Sequence, residues 1–162
     1  MKTATLPQIR KEINQKSPDE LRQLCLRLGR FKKENKELLT YLLFESDYEA
    51  GYVESVKDTL NGIFESINSG SYFYMKKTVR KALRETKKYA RYSGNKETEV
   101  ALLLHFCKRV KDLRPRISRH NMMRNLYLRQ IEYIAKKIDA MHEDLQLDYR
   151  AELDPLRELN DA

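Results

Sequence analysis

The positively charged residues between positions 71 and 94 are the clearest candidates for chemistry in this sequence. The stretch SYFYMKKTVRKALRETKKYARYSG contains eight lysines and arginines, one acidic residue and five aromatic residues. Placed on a helix at about 100° per residue, the cations fall on one flank and Glu85 falls outside it. This flank predicts an anion-binding surface made of Lys76, Lys77, Arg80, Lys81, Arg84, Lys87, Lys88 and Arg91.

Four further arginines extend the predicted surface towards the C-terminus: Arg114, Arg116, Arg119 and Arg124. The net charge of +8 is unevenly distributed along the chain. Residues 1–70 are neutral, residues 71–129 carry a net +13 and residues 130–162 carry a net −5. The positive excess is therefore regional, and like charges one helical turn apart need an opposite charge to offset their repulsion.

Three sources of negative charge fit this surface. An acidic partner protein is the interpretation we favour, which makes the chain a non-enzymatic binding or scaffolding module. The alternative is a nucleic-acid-binding protein that contacts phosphates through helix 72–92 and the segment from Arg114 to Arg129. The third source is the chain's own acidic end, through Asp139, Glu143, Asp144, Asp148, Glu152, Asp154 and Glu158.

The aromatic residues of the stretch give little support for base stacking. Tyr72 and Tyr89 fall on or beside the apolar stripe that runs through Val79, so we expect them in the core. Only Phe73 shares the basic flank, in the first turn of the helix. The sequence also matches no docking motif of a homeodomain, zinc finger or basic zipper.

Metal, cofactor and catalytic signals are weak. His105 and Cys107 face different directions on one helix, and Asp139 with His142 forms a single carboxylate and histidine pair where a di-iron bundle needs two. We expect His105 to be exposed and His142 to face inward. The sequence has no nucleophile elbow and no phosphate-binding glycine loop, so we predict no enzyme, no cofactor and no metal site; a helical enzyme without a recognisable motif is the third function considered.

The elements that position these residues are helices throughout. Apolar residues recur at helical spacing, and five glycines and four prolines are too few for a β-sandwich. We predict an all-α, single-domain bundle or stack of helical hairpins over residues 1–162, with about seven helices. They begin near Leu6 and continue over about 17–28, 32–45, 48–67, 72–92, 97–112 and 118–145, followed by a short acidic helix over about 148–159.

Several local signals set the helix ends and the core. Ser17 and Glu20 form a capping box, and Gly29 predicts a left-handed stop. Helix 97–112 is apolar over more than half its circumference, which predicts the centre of the core. We expect Cys25 and Cys107 to be small core residues. Their spacing fits neither a disulfide framework nor a zinc site, which indicates a protein of a reducing compartment. Because no apolar run has membrane-spanning or signal-peptide length, we expect a soluble cytoplasmic protein. The sequence does not indicate its oligomeric state.

Three segments carry a resemblance to known proteins: LRQLCLRLGRFKKENKELLTYLLFE, YMKKTVRKALRETKKYARYSGNKETEVALLLHFC and MHEDLQLDY. Together they resemble an uncharacterised family of small, all-helical bacterial proteins. The resemblance covers most of the chain and implies a single helical domain in a bacterial cytoplasm. It implies no activity and no site residue.

Overall fold

The computed structural model describes residues 1–159, which form eight α-helices and no β-strand. The predicted all-α class is confirmed. Contacts group the chain into two compact units, residues 1–44 and residues 45–162. The helices are α1 (Leu6–Ile13), α2 (Pro18–Phe31), α3 (Lys33–Thr40), α4 (Glu49–Glu65), α5 (Tyr72–Ser93), α6 (Lys96–Lys111), α7 (Asn121–Asp139) and α8 (Glu143–Arg157). A π-helical turn covers Tyr41–Glu45, and a 3-10 turn covers Ile117–Arg119.

The first unit contains α1, α2 and α3. The predicted capping box at the start of α2 is confirmed: the Glu20 amide donates to Ser17 Oγ at 3.3 Å, and the Ser17 amide donates to Glu20 Oε2 at 2.8 Å. The predicted stop at Gly29 is wrong, because α2 runs on to Phe31. Gly29 instead allows a close approach of α3, since a Cβ there would lie 2.9 Å from Leu39 Cδ1.

The apolar residues that recur at helical spacing in α2 are largely exposed. Leu24 is 42% exposed and Leu28 is 58% exposed, and Cys25 is exposed with them. The prediction that Cys25 is a core residue is therefore wrong. The physical reason is the direction of packing: α2 meets α3 through Gly29, which lies about 100° round the helix from Leu28.

The two thiols differ in a way that a chemical probe can measure. Cys107 is fully buried, and burial raises its pKa to about 12, so it stays a protonated and inert thiol at neutral pH. We expect a thiol reagent to modify Cys25 in the native protein and Cys107 only after unfolding. The Cys25→Ser variant is the control and should show no native reactivity; a Cys107 adduct formed before unfolding would contradict the packing.

The second unit is built around α6. Leu103, Phe106 and Cys107 are fully buried there, and α4, α5, α7 and α8 each pack against this helix. The ring of Phe106 lies 5.9 Å from that of Phe64 on α4. The prediction that this helix forms the centre of the core is confirmed. His105, predicted exposed, is half-buried with Nε2 2.9 Å from Asn61 Oδ1, and burial and the nearby cations lower its pKa.

The prediction of one helix from Ser118 to Leu145 is wrong, because two histidines divide this region. The His120 ring accepts from the Met123 amide at 3.4 Å and begins α7, and the His142 ring accepts from the Asp144 amide at 3.4 Å and begins α8. His142 is therefore an exposed cap and does not face inward. The chain turns between the two helices, and α8 packs back against α6 and α7.

The packing of α8 depends on buried contacts near its end. Leu153 is fully buried and Leu156 is 5% exposed. The Tyr127 hydroxyl of α7 donates to the Leu156 carbonyl oxygen at 2.7 Å, inside the core. The acidic end of the chain is thus held against α7 by apolar burial and by a hydrogen bond from a buried donor.

Two glycines of the second unit should respond to alanine with opposite signs. Gly62 lies inside α4 and a Cβ there would meet nothing within 4 Å, so we expect Gly62→Ala to stabilise the protein by about 0.5–1 kcal/mol. Gly94 ends α5 with φ of 67°, so we expect Gly94→Ala to destabilise it by about 1–2 kcal/mol. Urea unfolding measures both; equal signs would contradict this backbone description.

Candidate functional site

Helix α5 presents two different sides. Its buried side carries Met75, Val79, Ala82, Thr86 and Ala90 and faces the core of the second unit. The helix begins at Ser71, whose hydroxyl accepts from the Tyr74 amide, and ends where Gly94 adopts the left-handed conformation. Both ends are therefore defined by caps, and the side opposite the core faces solvent.

Most of the predicted cations lie on this outer side. Lys76 and Lys88 are half-buried, and Lys88 Nζ pairs with Glu85 Oε2 at 2.7 Å within the helix. Glu85, which the sequence placed outside the basic flank, is thus already paired with a lysine at the edge of that flank. The six cations of the predicted flank that are exposed are Lys77, Arg80, Lys81, Arg84, Lys87 and Arg91.

None of these six cations forms a salt bridge with an acidic side chain of residues 1–159. Within that range, no carboxylate lies within 4.0 Å of any of them. Their contacts are with aromatic rings and sulfur: Lys77 Nζ lies 4.6 Å from the Phe73 ring centroid, and Arg80 Nη2 lies 3.3 Å from Met122 Sδ. Their mutual repulsion is therefore not offset by an ion pair in this part of the chain.

Glu152 of α8 and Asp139 of α7 each pair with a cation of another helix. Glu152 Oε2 accepts from Lys108 Nζ of α6 at 2.7 Å, and Asp139 Oδ1 accepts from Arg150 at 2.9 Å. Lys111 of α6 donates to the Pro155 carbonyl oxygen. Within the described residues, no acidic side chain between positions 139 and 158 forms a hydrogen bond or salt bridge with α5, so the chain's own acidic end does not neutralise these cations.

One edge of α7 runs beside the exposed side of α5. Met122 touches Arg80 near one end, and the Tyr133 ring lies 5.7 Å from Lys87 Nζ further along. Arg129 is exposed and lies on the same helical face as both, because it is seven residues after Met122 and nearly two whole turns of helix. We call the six α5 cations together with Arg129 the basic surface.

The four predicted arginines outside α5 do not belong to the basic surface. Arg124 is exposed but lies about 200° round α7 from Met122. Arg119 is exposed in the 3-10 turn, and no contact joins it to the basic surface among residues 1–159. Arg114 and Arg116 line a separate cavity with Lys111. The sequence indicated Arg129 only as the end of the segment from Arg114 to Arg129; the heptad spacing from Met122 is the signal that places it here.

Exposed apolar side chains border the basic surface. Phe73 is 55% exposed, Tyr74 is 50% exposed and Met122 is 46% exposed. Phe73 and Tyr74 meet edge to face at 5.4 Å in the first turn of α5. The site thus combines long cationic side chains with a small aromatic and methionine margin at one end.

A cluster of hydrogen-bonded polar side chains lies at the other edge of the basic surface. Glu99 of α6 accepts from Lys137 at 2.8 Å and from the Tyr133 hydroxyl at 2.6 Å. Partial burial opposes ionisation of Glu99, but these hydrogen bonds and the cations Lys137 and Lys87 hold the pKa of its carboxyl below the usual value. Glu99 therefore stays ionised at neutral pH and is already paired, at the margin of the basic surface.

Residues 1–159 contain neither a metal-ligating cluster nor a membrane-spanning helix. No group of three or more histidine, cysteine, aspartate or glutamate side chains in this range is placed to hold a metal ion. No helix in the same range is long and apolar enough to cross a membrane.

Comparison with known proteins assigns the chain to no family. No protein-family model, no curated protein sequence and no solved structure matches the chain. The resemblance to small all-helical bacterial proteins therefore stays a prediction, and the function has to be argued from the site itself.

Proposed function

We propose that this protein is a non-enzymatic binding module whose basic surface docks an acidic segment of a partner protein. The observation that carries the proposal is the row of six exposed α5 cations with no carboxylate within 4.0 Å among residues 1–159. Three pairs among them at i, i+4 spacing, Lys77 with Lys81, Arg80 with Arg84 and Lys87 with Arg91, would each cost a few tenths of a kcal/mol without a counter-charge. An acidic ligand removes this cost and adds attraction across the interface.

The apolar margin favours a protein over a nucleic acid. Arginine, methionine and aromatic residues are enriched in protein interfaces. Here Arg80 touches Met122, and Lys77 lies over Phe73, so cationic and apolar contacts are available side by side. A partner segment that alternates acidic and apolar residues would use both, whereas a phosphate backbone would use only the charges.

Nucleic acid remains the second candidate, favoured by the length of the basic surface. The α5 cations extend over four turns of helix, from Lys77 to Arg91, and Arg129 lies beside them. A surface that contacts six to ten phosphates loses about 10³–10⁵ in affinity between about 50 mM and 200 mM salt. This steep dependence distinguishes the two candidates.

The test titrates the full chain with three fluorescent ligands across a salt series: a peptide that alternates glutamate with leucine, a DNA duplex, and a single-stranded RNA. We expect the peptide to bind most tightly and with a shallow salt dependence, because its apolar contacts are not screened. The control is a peptide of the same charge and length in which every leucine is replaced by serine. Tighter binding of either nucleic acid with a steep salt slope would favour the second candidate, and no binding of any ligand at about 50 mM salt would exclude both.

The cytoplasmic setting is part of the same proposal. Both cysteines are free, and Cys25 is exposed. Exposed free thiols persist in a reducing compartment and become oxidised outside it. This supports an intracellular module and a partner that is also intracellular.

A further inference from the structure

Helices α1 and α2 of the first unit each expose an apolar side. The exposed apolar residues recur at spacings of three and four, which places them on one side of each helix. Ile9, at 40%, is the least exposed of them, and Leu6, at 78%, is the most exposed. We call the six residues together the apolar face: Leu6, Ile9 and Ile13 of α1 with Leu24, Leu28 and Phe31 of α2.

The two helices meet along a groove within the apolar face. Ile9 and Ile13 of α1 and Leu24 of α2 line this groove, which has a volume of about 250 Å³. The rest of its lining consists of Ala4, Gln8, Glu12 and Lys16. An apolar side chain of another helix placed in the groove would bury the side chains of Ile9, Ile13 and Leu24 together.

The first unit has almost no core of its own. Tyr41 is the only apolar side chain of residues 1–44 that is buried. Helices α1 and α3 have eight residues each, and helices shorter than about 12–15 residues are marginally stable without packing. Units close to about 40 residues usually need a disulfide, a metal or oligomerisation, and Cys25, the single cysteine of this unit, is free. Burial of the apolar face would therefore supply packing that the first unit lacks.

The apolar face is large enough for a stable contact between two copies of the chain. Its six side chains leave on the order of 600 Å² of surface uncovered, which is the upper limit for an apolar patch on a typical monomer. Two copies would bury on the order of 1,200 Å² together, which reaches the lower limit of a standard protein interface. Because all six members are apolar, the face is also complementary to itself, as a two-fold contact requires.

Charged side chains beside the apolar face favour one orientation of the two copies. Glu20 and Arg27 lie beside Leu24 around a cavity of about 420 Å³ on α2, and their spacing of seven residues places them on the same side of the helix. Arg27 forms no salt bridge with residues 1–159. In an antiparallel pair of α2 helices, Glu20 of each copy lies next to Arg27 of the other. A parallel pair would place like charges together, which costs free energy.

From these observations we infer that two copies of the chain associate through the apolar face, with α2 antiparallel to α2 of the second copy. Burial of apolar surface drives the association, and the pairs between Glu20 and Arg27 determine the orientation. The inference does not depend on the proposed function, because all residues that it uses lie in the first unit and the basic surface lies in the second. Failure of the peptide titration described above would leave it unaffected.

The test is sedimentation equilibrium of the full chain between about 1 and 100 µM, where we expect a Kd on the order of 10 µM. The mass should rise with concentration from 19.3 kDa to twice that value. We expect Leu28→Asp to raise the Kd at least about tenfold, because it places a carboxylate in an apolar contact. A mass of 19.3 kDa at all concentrations would overturn the inference and assign the apolar face to the second unit of the same chain or to a different protein.

Leu26→Asp is the matched control, because it removes the same side chain from the same helix and adds the same charge. Leu26 is 51% exposed and lies about 200° round α2 from Leu28, outside the apolar face. We expect its Kd to stay within about twofold of that of the native chain. An equal rise of the Kd in the two variants would overturn the inference, since association would then follow total hydrophobicity.

A charge exchange tests the orientation without changing the apolar face. We expect Arg27→Glu and Glu20→Arg each to raise the Kd at least about fivefold, and the double variant to return it to within about threefold of the native value. Glu20→Arg also removes the capping-box hydrogen bond from the Ser17 amide, but the double variant shares this loss. A double variant that associates as weakly as the single variants would overturn the antiparallel arrangement.

Discussion

Replacing Phe106 by alanine is expected to lower the free energy of unfolding by about 3–5 kcal/mol. The Phe106 side chain is 0% exposed at the centre of α6, and its ring packs against Phe64 of α4 at 5.9 Å. Alanine would remove the apolar contacts of the ring and leave a cavity that five packed helices can only partly close. Chemical unfolding followed by circular dichroism measures the change.

The control for this prediction is Phe73→Ala. Phe73 is 55% exposed in the first turn of α5, and its ring contacts Tyr74 and nearby lysine ammonium groups. We expect this variant to lose less than about 1 kcal/mol. Similar losses in the two variants would mean that α6 is not the centre of the core.

Reversing the charge of Arg84 is expected to weaken binding of the acidic peptide at least tenfold, which is about 1.4 kcal/mol. Arg84 is exposed in the middle of the basic surface. A glutamate there removes one attraction and adds a repulsion against the acidic ligand. The helix itself should not suffer, because the new carboxylate would lie one turn from both Arg80 and Lys88 and pair favourably with them.

The matched variant is Arg124→Glu, which changes the net charge of the protein by the same amount. Arg124 is also exposed but lies about 200° round α7 from Met122, the residue that touches α5. We expect less than a twofold effect on peptide affinity, measured by fluorescence anisotropy at physiological salt. An equal loss in the two variants would show that binding follows total charge and that the basic surface is not the site.

Local sequence patterns predicted most of the helices because burial imposes a period of 3.6 residues on each of them. In α4 the apolar residues at helical spacing are all buried, namely Tyr52, Val56, Leu60 and Phe64, and Ile63 packs partly buried against the same core. In α5 the predicted stripe through Met75 and Val79 faces the core. These helices follow the pattern because a single apolar stripe can be buried in only one orientation.

The misplaced boundaries had a different cause. His120 and His142 begin α7 and α8 by accepting backbone amide hydrogens, but histidine is not among the residues that mark a helix start in sequence. The hydrophobic period continues almost unbroken across Ala140, so the pattern alone indicated one long helix. At Gly29 a residue typical of a helix end serves close packing against Leu39 instead.

The sequence predicted which α5 cations form the candidate site, whereas the fold determined which residues of other helices lie beside them. The segregation of cations on α5 is a property of helical spacing, so it could be predicted from residues 76–91 alone. Helical spacing also determined the all-α class, the buried side of each long helix and the central place of α6.

Only the tertiary structure decided where the acidic end lies and which arginines join the basic surface. Coulomb attraction between a segment of net +13 and a segment of net −5 has no preferred direction along the chain, so charge counts could not predict their pairing. Apolar burial of Leu153 and Leu156 positions α8, and this packing brings Glu152 to Lys108 of α6. The exposed cations of α5 are left without a salt bridge among residues 1–159 because directional packing of apolar side chains determined which helices meet.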